Sequence, residues 1–114
     1  MNALKNNVQL IGRVNNPPLL RTTARGRKWA RFGIATDEIH RNTRGDKIIQ
    51  TQWHNLVAWD GQAEIAAKFL RRGTELVVEG KLVAHTYTGR EGRKKRVTEV
   101  LIIYMLMPGL KEYG

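Results

Sequence analysis

One stretch of this chain spaces its apolar residues as a helix does, and its place among the other elements restricts the fold more than any other feature. Ile65, Ala66, Phe69 and Leu70 recur at helical spacing. Asp60 ahead of them suits an N-cap, Arg71 and Arg72 suit a last turn, and Gly73 suits a C-terminal stop, so one short amphipathic helix is expected.

Elsewhere the period is two. Val8 to Val14 reads as a strand rich in branched residues, ending at Asn15-Asn16-Pro17-Pro18, a cluster that reads as a turn because proline lacks an N–H and restricts its predecessor. A basic loop, Arg21 to Lys28, leads to a second strand from Trp29 to Ile39, in which Ala30, Phe32, Ile34 and Thr36 alternate with Trp29, Arg31, Gly33 and Ala35 and Gly33 marks a bend or a close approach. The polar turn Arg41 to Lys47 separates it from a third strand, Thr51 to Trp59, and the two are expected to form a long hairpin with a basic tip. After the helix, Glu75 to Tyr87 reads as a long strand bent at Gly80, Thr88 to Lys95 as a turn, and Arg96 to Met107 as a last strand closed by Pro108-Gly109.

Three strands, one helix and two strands is the element order of an all-β, five-stranded OB-fold barrel with one short α-helix between strands 3 and 4. Order alone also admits a different five-stranded barrel. At 114 residues the chain suits one domain, expected over residues 1–110, leaving 111–114 as a short remnant without a linker or an acidic tail.

Lysine and arginine number 20 against 10 acidic residues, a formal charge of +10. Such an excess points to a polyanionic partner, and charge by itself leaves nucleic acid, a membrane surface and an acidic protein open. The distribution favours nucleic acid. Arg21, Arg25, Arg27, Lys28, Arg41, Arg44, Lys47, Arg90, Arg93, Lys94 and Lys95 fall in the three expected loops, which contain Asp46 and Glu91 as their acids, and loops rising from one barrel face can track a phosphate backbone. No segment approaches the roughly 20 apolar residues that span a bilayer. The chain has no cysteine, which excludes disulfides, thiolate metal sites and cysteine nucleophiles and permits a reducing compartment. The expected location is the cytoplasm, in association with the nucleoid.

Aromatic residues narrow the partner further, because single-stranded nucleic acid exposes base faces on which a tryptophan or tyrosine can stack whatever the base. Trp53 and Trp59 lie an even number of positions apart on the third strand and so share a face with Asn55 and Val57, while His54, Leu56 and Ala58 take the other. Periodicity does not say which of these faces is core. Tyr87 ends the next long strand.

The ordered set Asn7-Val8-Gln9-Leu10-Ile11-Gly12-Arg13-Val14, Ile34-Ala35-Thr36, Thr51-Gln52-Trp53-His54, Phe69-Leu70-Arg71-Arg72-Gly73, Val78-Glu79-Gly80-Lys81-Leu82 and Thr98-Glu99-Val100 resembles the bacterial single-stranded DNA-binding protein family nearly end to end. The resemblance implies homotetramers of OB-folds with DNA wrapped over the outside. It implies base stacking on four positions, here Trp53, Trp59, Tyr87 and, in the second strand near the hairpin tip, His40. It also implies a subunit-contact role for His54 and a phosphate role for Arg72, which could equally complement the helix dipole. Asp60-Gly61 departs from the Gly-Lys that many relatives carry there.

The leading expectation is therefore sequence-tolerant binding and protection of single-stranded DNA, with phosphates met by Arg25, Arg27, Lys28, Arg41, Arg44, Lys47, Arg72, Arg90, Arg93, Lys94 and Lys95. The alternative is a short primosomal-type OB accessory protein acting through protein partners. Catalysis is not expected, because the chain lacks a Gly-rich phosphate loop followed by Lys-Ser/Thr, any cysteine and a His-Glu helix motif. Neither a cofactor nor a metal is expected, since His40, His54 and His85 contain no closely spaced pair.

Overall fold

A computed structural model describes residues 5–109, with Tyr87 described by its backbone alone. The chain runs β1 (Val8–Thr22), β2 (Lys28–Arg41), β3 (Lys47–Trp59), α1 (Asp60–Phe69), β4 (Glu75–Thr88) and β5 (Lys94–Leu106). The strands close into a barrel in the order β1-β2-β3-β5-β4, the OB arrangement expected from the element order.

Strand β1 makes that closure. Its first half, Val8 to Arg13, pairs antiparallel with β4, and its second half, from Arg13 to Thr22, pairs antiparallel with β2. Between the halves the register breaks twice, between Val14 and Asn16 and between Asn16 and Leu19. The Asn-Asn-Pro-Pro cluster is thus not a turn. Its prolines, which cannot donate to a ladder, occupy irregular positions that carry one strand around the corner from β4 to β2.

The three basic loops are shorter than expected, because the strands continue to their rims. Each hairpin turn repeats one geometry: the N–H of Thr23, Asn42 or Gly89 donates to the carbonyl four residues on, at 2.7, 3.0 and 2.8 Å. The fourth residue of each is glycine at positive φ (Gly26 +90°, Gly45 +81°, Gly92 +76°), where a side chain would be strained. Arg21, Lys28, Arg41, Lys47, Lys94 and Lys95 therefore stand on paired strand ends rather than in the loops expected for them.

The core lies inside the barrel, where Val14, Phe32, Ile34, Leu56, Leu76, Val78, Val100 and Ile102 meet Ala63, Ala66 and Leu70 from the helical segment. The helix thus turns small alanines to the barrel, and Ile65, expected on its apolar face, is exposed. It also ends earlier than expected. Leu70 is its extended C-cap, its N–H donating to Ala66 O, so Arg71 and Arg72 lie beyond the last turn. Arg71 Nη1 nevertheless donates to the carbonyls of Lys68 and Leu70, and Arg72 Nε donates to Asn15 O at 3.1 Å, tying this turn to the bulged corner of β1. At Gly80 the ladder between β4 and β5 shifts, and a Cβ there would lie 2.1 Å from Leu101 O, so the bend is a close approach of two backbones. Gly33 is likewise packed, against Asn15 Oδ1.

Candidate nucleic-acid interface

Strands β2 and β3 pair without interruption from Trp29↔Trp59 to Arg41↔Lys47. Residues directly opposite in an antiparallel ladder share a face, so the pairing settles what alternation left open. Leu56 and Ala58 point into the barrel with Phe32 and Ala30; Trp53, Asn55, Val57 and Trp59 point out, beside Ala35, Gly33, Arg31 and Trp29. Beyond the barrel the ribbon projects with both faces exposed toward its tip.

Trp53 is 66% exposed on this outer face. Trp59 is half-buried and has two neighbours. The Arg27 guanidinium lies 4.5 Å from its ring centroid, and Trp29, directly across the ladder, has its centroid 6.4 Å away at an interplanar angle of 40°. The Trp29 ring in turn carries the Arg31 guanidinium at 4.7 Å. Trp29 and Arg31 were not among the expected site residues. Their shared parity, opposite to Ala30, Phe32 and Ile34, was the available signal.

The outer face continues across β5, where Leu101 stands beside Val57 in the parallel pairing, to β4. Glu99 occupies its centre and is 4% exposed. Its carboxylate accepts from Arg31 Nε and from His85 Nε2, each at 2.7 Å, so one buried acid joins β2, β5 and β4. A carboxylate has no proton to give, so His85 carries the hydrogen on Nε2. Around this cluster the surface forms an open groove from Asn16 and Asn55 past Arg31 and His85 to Leu101.

The other expected stacking positions are arranged differently. His40 pairs with Ile48, five residues from Trp53's partner Ala35, and so lies on the opposite face of the ribbon, with Nε2 3.3 Å from Glu38 Oε2. The backbone of Tyr87 pairs with Lys95 at the end of β4, and its side chain lies outside the described part of the structure. His54, assigned by resemblance to a subunit contact, is half-buried with Nε2 2.9 Å from Thr36 Oγ1.

The expected phosphate ligands are exposed and cluster at three places. Arg25, Arg27 and Lys28 surround the β1–β2 turn, Arg41, Arg44 and Lys47 the tip of the β2–β3 ribbon, and Arg90, Arg93, Lys94 and Lys95 the β4–β5 turn; Arg72 stands apart, beyond α1. Two of them already have acids. Lys28 Nζ is 3.6 Å from Glu64 Oε1. Arg27 donates to both carboxylate oxygens of Asp60, at 3.3 and 2.8 Å.

Asp60 therefore does not cap the helix. Trp59 occupies the N-cap position without a side-chain cap bond, and Asp60 sits at φ +53°, a left-handed conformation that aspartate tolerates better than most residues. Two charged donors on one guanidinium outcompete a single helix N–H for its carboxylate. The hydrogen bonds from Arg27 hold the Asp60 carboxyl below the usual carboxylate range, and the same pairing raises Arg27 further above its ordinary value.

Among the described residues no group of three or more His, Asp and Glu could hold a metal ion, and no helix is long and apolar enough to cross a membrane.

Comparison with known proteins agrees with this geometry. The profile of the "Single-strand binding protein family" matches residues 5–107. The chain is 36% identical over 110 residues to single-stranded DNA-binding protein 1 of Chlorobaculum tepidum, covering 96% of this chain and 68% of that one. It is 34% identical over 108 residues to single-stranded DNA-binding protein 1 of Xylella fastidiosa, covering 94% and 79%. A Plasmodium falciparum SSB, solved in complex with ssDNA, superposes with a TM-score of 0.76 at 30% identity, covering 90% of this chain and 93% of the other.

Proposed function

The chain belongs to the single-strand binding protein family, and we propose that it binds single-stranded DNA without sequence preference and protects it in replication, recombination and repair. Trp53 carries this reading. With Trp59 and Trp29 it puts three tryptophans on one rigid outer face, a grouped aromatic surface of the kind that marks a binding site, and a base face is the partner that the surrounding cations favour.

Bases stack on Trp53 and Trp59, with Tyr87 on β4 and His40 on the reverse face of the ribbon as further contacts for a strand that wraps the domain. Phosphates are met at the β1–β2 turn, the ribbon tip and the β4–β5 turn. No bond is made or broken, so the protein is not an enzyme. It acts in the cytoplasm as a homotetramer of a single OB domain, with His54 near a contact between subunits.

Tryptophan emission tests the reading directly. Oligo-dT is expected to quench it, while duplex of equal length competes poorly, and log K falls against log salt by about 0.7 per neutralised phosphate. Equal affinity for duplex and single strand overturns it. Light scattering of the free protein tests the tetramer.

A further inference from the structure

The outer face carries an ordered row that the stacking of a base on an open ring does not require. Asp60 holds Arg27, Arg27 covers Trp59, Trp59 packs against Trp29, Trp29 carries Arg31, and Glu99 holds Arg31. Each end of the tryptophan pair is thus covered by a guanidinium, and each guanidinium is held by a carboxylate.

The two ends differ in strength. Glu99 is buried and shared with His85, so Arg31 is fixed over Trp29. Asp60 is 58% exposed at the start of α1, and Arg27 is 57% exposed in a hairpin turn, so theirs is a solvent-screened ion pair. Such a pair is weaker than the stack of a base on tryptophan. One ring face is therefore covered by a group that a nucleotide can displace.

We propose that Trp59, Arg27 and Asp60 form a gated nucleotide site, in which an incoming base takes the ring face that Arg27 covers and the displaced guanidinium leaves Asp60 for that strand's phosphate. Trp29 backs the platform and keeps Trp59 in place. This rests on the single-strand reading above and goes beyond it in giving Asp60 a selective role. A ligand that offers a phosphate without a base face cannot displace Arg27 from the ring, and Asp60 then keeps the cation from it. Asp60 biases the site toward unpaired nucleotides and against bare polyanions.

The test compares Asp60→Asn with Glu64→Gln, two changes that remove one negative charge each from the same helix. Glu64 lies beside Lys28 rather than Arg27. Asparagine also tolerates the left-handed conformation at position 60, and thermal melting checks that both variants fold. Binding is measured against oligo-dT and against an abasic oligodeoxynucleotide of the same length, over a range of salt. In the unaltered protein the abasic strand is expected to show the shallower salt dependence. Asp60→Asn is expected to steepen the abasic slope by about 0.7, to tighten abasic binding about fivefold, and to leave the oligo-dT slope unchanged. Glu64→Gln is expected to move both ligands together. Equal effects of Asp60→Asn on the two ligands, or none on either, overturn the gate while leaving single-strand binding intact. Failure of the unaltered protein to prefer oligo-dT over duplex overturns the underlying reading as well.

Discussion

Replacing Trp53 by alanine separates binding from folding. With 66% of its surface in water, the ring contributes to stability through the remaining third. For a side chain that exposes roughly 200 Å² or a little more, at about 25 cal/mol per Å², that third amounts to about 2 kcal/mol as an upper bound. A base stack on an aromatic contributes about 1–3 kcal/mol, which at about 1.4 kcal/mol per tenfold is a loss of roughly 5- to 150-fold in affinity for each strand engaged. The variant should therefore stay folded, and oligo-dT should bind it much more weakly. Anisotropy of a labelled oligo-dT at fixed salt reads the affinity, and a urea melt followed by circular dichroism reads the stability. Leu56→Ala gives the contrast: the side chain is fully buried, so stability should fall by about 2–5 kcal/mol. Binding by Trp53→Ala within twofold of the unaltered protein, with a normal melt, would refute the platform. The exposed ring would then serve something other than DNA.

Further outcomes follow from the packing. Gly80→Ala places a Cβ 2.1 Å from Leu101 O, a backbone atom that cannot rotate away, and should cost about 2–3 kcal/mol by denaturant melting. Glu99→Gln leaves Arg31 and His85 without the buried charge they share; because both reach solvent, the loss should be about 1–3 kcal/mol, with weaker DNA binding where the groove is rearranged. The Arg27–Asp60 pair has a defined pH sign. The carboxyl is depressed in the folded protein, so the stability it confers is fully present above the unfolded carboxylate value of about 3.9 and is lost as pH falls through the lower folded value. Carboxyl NMR should place the Asp60 midpoint below about 3.9, and Arg27→Ala should return it toward that value.

Much of the fold was legible because it depends on local chemistry. The helix segment and the glycine turns are each set by residues within a few positions of one another, whereas the glycine at position 80 marks a bend that its distant neighbour Leu101 requires. The errors arose where a distant partner decided. Asn15-Asn16-Pro17-Pro18 has the composition of a turn, yet β4 and β2 lie on either side of it and draw the chain through as one bulged strand. Asp60 has the composition of a cap, yet Arg27, distant in sequence and brought beside it by the Trp29↔Trp59 pairing, offers a stronger pair of donors. Ile65 fits the helical period, but the barrel end has room for Ala63 and Ala66 instead.

The candidate site divides in the same way. Residue order by itself determined the barrel class, the family, the excess of cations near the hairpin tips, and the shared face of Trp53 and Trp59. Only the tertiary structure decided that this face looks outward, because alternation defines two faces identically and the one that is buried is the one β4, β5 and α1 happen to cover. It alone placed Trp29 opposite Trp59 and His40 on the reverse of the ribbon, since both follow from the β2–β3 register. The covering of Trp59 by a latched guanidinium also needed three separate elements to converge, and no local pattern in the sequence records that.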